Sequence, residues 1–352
     1  MLVLFAFAVA APHAAAWSIP KWVAATVPSD DELAGARVIT GFAGRHPPKV
    51  LRRMISSGQV AGVILFDGNV GSRSSVRRLT SELQAIPRPA SMTQPLLVTV
   101  DQEGGLVKRL PGPPKPSARA TGARGAAFAE RLGRATGQSL RSMGVNADLA
   151  PVLDLGRPGR AIEGEGRTFA RTPEAVSEIG VGFARGLATG GVAATAKHFP
   201  GLGDARVNTD NAVQKIRLPA AKLRSADEQP FAAFAQAGGA MVMLSTAIYP
   251  GLSGKPAALS RAIATGELRD RLGFPGVSIT DALGSVSARA VGGPAKTALA
   301  AARAGTDLVL LTDVSDAARA QRALARGLAN GSLDRAEFQA SVDRVLALRA
   351  AP

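Results

Sequence analysis

Eight apolar runs, each the length of a buried strand, recur at residues 37–42, 60–66, 95–101, 145–155, 192–199, 240–249, 276–283 and 306–311. Between most of them lie segments of helical period rich in Ala, Leu and Arg, as at 126–142, 173–189, 220–237 and 294–304. Strands covered on both faces read as continuous apolar runs, and helices between them imply crossovers and a parallel sheet. Eight such units predict an α/β fold, a closed (β/α)8 barrel, in one domain over residues 27–350. The first run and the long fourth run are the least regular. Two closing helices are expected at 315–330 and 333–350, parted by Asn330-Gly331, with Ser332 or Asp334 capping the second. The proline-rich stretch 111–116 reads as a loop after the third run, not as a linker.

A barrel of this kind carries its chemistry at the C-terminal ends of its strands. The third run ends in Asp101-Gln102-Glu103-Gly104-Gly105, and the fourth contains Asp148 and Asp154, with Arg167 in the loop beyond. The fifth delivers Lys197 and His198, followed by a glycine-containing loop with Asp204 and Asp210, and the seventh ends in Thr280-Asp281. Cations and carboxylates gathered at strand ends suit a polyhydroxylated ligand such as a carbohydrate. The competing reading is plainer: Asp101 and Asp281 as helix N-caps, and Lys-His as a solvated turn.

Composition removes several other chemistries. The chain has no cysteine, which excludes disulfides, thiolate catalysis and cysteine-ligated metals, and it has only three histidines, His13, His46 and His198. No metal and no cofactor are expected. There is no Gly-Lys-Ser/Thr phosphate loop and no Gly-x-Ser-x-Gly elbow. The net charge of +15 attracts acidic polymers, but the arginines stand singly or in pairs, as at Arg52-Arg53 and Arg77-Arg78, and aromatics are only 4%. Basic blocks interleaved with aromatics are missing, so nucleic acid is not an expected partner. Residues 1–16 are almost wholly apolar and end in Ala14-Ala15-Ala16, small residues suited to cleavage. They predict a signal peptide and export, with a stray apolar tail on a cytoplasmic protein as the alternative. The run is short for a membrane span, so no stable membrane anchor is expected.

The stretch Lys197-His198-Phe199-Pro200-Gly201-Leu202-Gly203 resembles the signature of family 3 glycoside hydrolases, and within them the single-domain bacterial β-N-acetylhexosaminidases of cell-wall turnover. Val-Asp-Gln-Glu-Gly-Gly-Leu-Val-Lys-Arg at 100–109 resembles the family's third-strand motif, and Ala150-Pro151-Val152-Leu153-Asp154 its fourth. Gly166-Arg167-Thr168-Phe169 is similar to its Gly-x-Arg-Ser-Phe, and Ser278-Ile279-Thr280-Asp281-Ala282-Leu283 to the segment holding its nucleophile. The resemblance implies a retaining, exo-acting β-glycoside hydrolase acting on N-acetylglucosaminides. It implies Asp281 as nucleophile and Asp101, Arg109, Arg167, Lys197 and His198 as sugar-binding residues.

The proton donor departs from the pattern. In the resembled enzymes the signature leads into Asp-Ser-His, whose Asp and His form the acid/base dyad. Here those positions hold Asn208-Thr209-Asp210, and Leu202 replaces the signature's second His. Asp210 is the candidate acid/base, with Asp204 as a second candidate on the same loop, which Gly201 and Gly203 are expected to leave free to move. A β-glucosidase-like specificity and a catalytically impaired sugar-binding protein are the alternatives within the resemblance. A phosphate-binding barrel enzyme is the competitor from another reaction class.

Overall fold

The structure, a computed structural model, describes residues 27–351. The signal peptide expected at 1–16 lies outside the described residues. Eight parallel strands form one sheet: β1 (Val38–Thr40), β2 (Gly62–Leu65), β3 (Leu97–Val100), β4 (Ala147–Asp148), β5 (Ala193–Phe199), β6 (Met241–Leu244), β7 (Val277–Thr280) and β8 (Val309–Leu311). Their order is β7-β6-β5-β4-β3-β2-β1-β8. A parallel bridge between Ile279 and Leu308 joins the two ends. Two hydrogen bonds of 2.9 Å flank it, from Thr280 N to Leu308 O and from Leu308 N to Ser278 O. Consecutive strands are therefore neighbours all the way round, the arrangement of a (β/α)8 barrel.

Alternation along each strand sorts its side chains into two layers. Ile39, Ile64, Leu97, Ala147, Leu149, Met241, Met243, Ile279 and Leu310 pack together inside the barrel. Val38, Val63, Leu65, Val98, Val100, Val309 and Leu311 face outward into the layer beneath the helices. The helices that follow the strands are α1 (Lys49–Ser56), α2 (Arg73–Gln84), α3 (Ala126–Arg141), α4 (Pro173–Thr189), α5 (Gln229–Gln236), α6 (Ala262–Arg271), α7 (Pro294–Ala304) and α8 (Val314–Ala329). α9 (Arg335–Ala350) closes the chain, capped by Asp334, which accepts from Glu337 N at 2.8 Å. Asp313 caps α8 and Thr172 caps α4 through side-chain oxygens, each satisfying amides that a helix start leaves unbonded.

Three segments depart from the sequence reading. The run 145–155 makes only a two-residue ladder, because Pro151 has no N–H to donate and the chain continues along β5 through isolated contacts, as from Leu153 N to Lys197 O at 2.7 Å. The run 240–249 divides: after β6 the chain turns, and Ile248–Tyr249 pairs antiparallel with Ser253–Pro256. The helix expected at 220–237 is interrupted by wide π-type turns at Leu223–Asp227 before α5 begins.

Candidate active site

Asp101, Lys197 and Asp281 continue the inward-facing series of their strands. Asp101 stands two residues beyond Thr99, Lys197 two beyond Thr195, and Asp281 two beyond Ile279, so the period that buries the apolar residues also aims these polar groups at the barrel axis. They meet in a cavity of about 360 Å³, floored by Ile64, Leu149, Met243 and Leu310. Arg109, Arg167, His198 and Asp210 also line it. Of the residues given a catalytic or sugar-binding role from the sequence, only Asp204 is outside the lining; its carboxylate pairs with Arg160 at 2.9 Å.

An ion cluster forms one wall. Lys197 Nζ lies 2.6 Å from Asp101 Oδ1 and 2.7 Å from Glu103 Oε1. Arg167 grips Glu103 with both prongs of its fork, Nε to Oε2 at 2.8 Å and Nη2 to Oε1 at 2.9 Å. Burial alone would raise the Glu103 carboxyl, but Lys197 and Arg167 override it and hold the group at about 2. Burial alone would likewise lower the Lys197 ammonium; Asp101 and Glu103 hold it above its ordinary value. The cluster thus keeps Glu103 ionised and Lys197 protonated although both are buried. The sequence reading gave Glu103 no role, although it follows Asp101 by two residues in a segment that stays extended.

Two further groups set these side chains in place. Gln102 clamps the loop that carries Arg109: its Oε1 accepts from Arg109 N at 3.1 Å and Leu110 N at 2.9 Å, and its Nε2 donates to Leu110 O at 3.0 Å. Asp154 holds His198, with Nδ1 to Oδ2 at 2.7 Å, and also accepts from Leu202 N at 2.6 Å. Asp148 is wholly buried behind this wall, outside the cavity lining. Its Oδ1 accepts from Gln102 N at 3.0 Å, and burial pushes its carboxyl well above the usual range.

Asp281 follows β7 directly; its amide donates to Leu244 O at 2.9 Å, and its Oδ1 accepts from Ala282 N at 2.7 Å. Asp210 reaches the cavity from the loop after β5. Its side chain is open to solvent on one side. Partial burial on the other, then the facing Asp281 carboxylate, push its carboxyl above the ordinary value of 3.8. Asn208 orients it, with Oδ1 accepting from Asp210 N at 2.9 Å.

The root of that loop is fixed rather than free. Gly201 has φ +129° and lies so close to Asp227 that a Cβ would stand 2.6 Å from the Asp227 Cβ. At Gly203 a Cβ would stand 2.1 Å from Leu155 O. These glycines permit close packing, which corrects the expectation that they confer mobility. Arg157, bonded to Asp227 by two contacts of 2.8 Å, braces the same spot.

Comparison with known proteins agrees with this architecture. Residues 30–348 match the glycosyl hydrolase family 3 N terminal domain. An uncharacterized secreted glycosyl hydrolase of Arthroderma benhamiae is 38% identical over 326 residues, 90% of this chain and 92% of that protein. A beta-hexosaminidase of Stenotrophomonas maltophilia is 35% identical over 286 residues, covering 78% of this chain and 82% of the relative. The crystal structure of a beta-N-acetylhexosaminidase from Beutenbergia cavernae superposes with a TM-score of 0.85 at 32% identity, over 92% of this chain and 98% of that one. The chain belongs to glycosyl hydrolase family 3.

Proposed function

We propose that this glycosidase is a retaining, exo-acting β-N-acetylhexosaminidase that removes terminal N-acetylglucosamine. The observation that carries the reading is the convergence of Asp281 and Asp210, from two different loops, on one cavity walled by the Asp101–Lys197–Glu103–Arg167 cluster. A retaining mechanism needs an ionised carboxylate to attack the anomeric carbon and a protonated acid to release the aglycone. Asp281 takes the first role. Asp210 takes the second, because a carboxyl shifted upward carries its proton closer to neutral pH. As the glycosyl-enzyme bond forms, the Asp210 proton passes to the departing oxygen; Asp210 then draws the proton from the attacking water. Lys197, Arg167, Arg109, Asp101 and His198 hold the sugar hydroxyls. Asp204, paired with Arg160 outside the cavity lining, supports no such role.

The relatives' names support the choice of sugar. The test is turnover of aryl N-acetyl-β-glucosaminide and aryl β-glucoside side by side. Faster turnover of the first is expected; a preference for the glucoside overturns the assignment, and sugar binding without product on either overturns enzymatic function. We also propose export, supported by the apolar segment 1–16 and by the secreted relative; among the described residues no helix is long and apolar enough to cross a membrane. A fusion of residues 1–26 to a reporter enzyme is expected to carry it out of the cell, and retention in the cytoplasm would refute export.

A further inference from the structure

The positive charge is concentrated on one flank of the barrel. Residues 36–145, which span the first three strand–helix units, hold seventeen Lys and Arg against five Asp and Glu, a surplus of twelve out of the chain's +15. Within that flank, α1 and α2 together carry six basic residues and one acid, Glu82. The two helices lie side by side, joined where Glu82 of α2 accepts from Arg52 of α1 and from His46 Nδ1 at 3.1 Å. Between them run two open depressions of about 380 and 530 Å³ that share Glu82. Arg52 and Arg53 line the first, and Arg77 and Arg78 the second. Glu82 is the only acid in either lining and is already engaged. Among the described residues the guanidinium groups of Arg53, Arg77 and Arg78 form no ion pair or hydrogen bond, although all three are exposed.

An ordinary solvated surface mixes the two signs. A concave strip of one sign with unpaired guanidinium forks instead raises the local concentration of anions and can pair with carboxylates bidentately. We infer that the groove between α1 and α2 is a docking site for an extended, carboxylate-bearing polysaccharide. Two observations favour a polysaccharide over nucleic acid or a lipid surface. The groove lining contains no Phe, Tyr or Trp ring on which a base could stack, and it includes Ala85, Ile86 and Pro87, apolar surface that suits the C–H faces of sugar rings. α1 and α2 both start at the catalytic end of the barrel, and the depressions lie along their later turns. Asp67, in the loop leading to α2, contacts the cavity residue Arg109 at 3.5 Å. A bound polymer would keep the enzyme on a surface that displays its substrate ends. The choice of polymer rests on the glycosidase reading; the binding itself does not.

The test uses polygalacturonate as the probe, with neutral dextran, duplex DNA and anionic phospholipid vesicles alongside. The wild-type protein is expected to bind polygalacturonate in low salt and to weaken at least tenfold in about 0.5 M NaCl, where screening confines charge interactions to a few ångströms. The triple variant R53E/R77E/R78E is expected to bind at least tenfold more weakly, and R53Q/R77Q/R78Q to fall between, both with an unchanged melting temperature. The inference is overturned if the charge-reversed protein binds polygalacturonate as the wild type does. It is also overturned if the wild type prefers DNA or vesicles to polygalacturonate, or binds dextran equally well. Turnover of a small aryl glycoside is read in parallel. Its failure in the wild type would count against the glycosidase reading and leave the binding result standing on its own.

Discussion

Asp281 and Asp210 are chemically the same group and are expected to do opposite things, and their surroundings separate them. Asp281 sits at the end of a buried strand, its backbone held by β6 and its carboxylate met by the next amide. Asp210 sits on a loop, open on one side to solvent, with its carboxyl shifted upward by partial burial and by Asp281. Replacing Asp281 with Asn keeps the size and removes the anion. Turnover is expected to fall by roughly three orders of magnitude or more with the fold intact; near-normal turnover would end its role as nucleophile. Asp210→Ala is expected to cost about 10²- to 10⁴-fold on a substrate with a poor leaving group and much less on an activated aryl glycoside, because acid catalysis matters most where the departing oxygen is basic. Equal losses on both substrates would remove Asp210 as the proton donor. The pH profile carries the same information. Asp210 acts when protonated, so wild-type activity on the poor leaving group should decline as pH rises through its raised pKa, and Asp210→Ala should lose that limb.

At the scale of elements, the acid-bearing loop is governed by its anchors. It is closed at its base by Gln214, whose Oε1 accepts from Arg206 N at 3.2 Å and Val207 N at 3.4 Å. Its tip rests on the short helix Val286–Arg289 that follows Asp281: Ser287 Oγ donates to Ala212 O at 3.0 Å, and the Ser287 amide to Thr209 O at 3.4 Å. The segment behind the nucleophile therefore holds the segment bearing the acid. Ser287→Ala deletes one buried hydrogen bond, worth about 0.5–1.5 kcal/mol, and is expected to lower kcat about two- to tenfold on poor leaving groups with KM little changed. An unchanged kcat with a raised KM would place Ser287 in substrate binding instead. None of this anchoring was legible in the sequence. Strand ends were legible, because a period of two carries Asp101, Lys197 and Asp281 inward with the apolar residues before them. The loop misled, because glycine serves close packing as readily as motion, and only the presence of Asp227 and Leu155 against Gly201 and Gly203 decides which. The fourth run misled for a similar reason: its apolar character was right, but Pro151 cannot donate to a ladder.

At the scale of the whole molecule, the ion cluster ties together pieces of chain that are far apart in sequence: the segment after β3 through Asp101 and Glu103, the loop after β4 through Arg167, and β5 through Lys197. Its charges also set the pH range over which the barrel top is stable. Glu103 is held at about 2 against an ordinary value of 4.5, so its contribution is complete above 4.5 and is lost as pH falls from there towards 2. Lys197 is held above its ordinary 10.5, so its contribution is complete below that value and is lost only as pH rises through the higher folded pKa. Together they give a plateau from about pH 4.5 to 10.5. Glu103→Gln leaves two buried cations facing a neutral amide, and breaking a buried pair in this way costs about 3–5 kcal/mol. Urea unfolding of wild type and Glu103→Gln at pH 7, 4 and 3 measures the effect. The gap is expected to be widest at pH 7 and to shrink as the wild-type carboxylate is titrated, because the unfolded chain takes up that proton first. A gap that stays constant from pH 7 to pH 3 would mean that Glu103 holds these segments by shape rather than by charge.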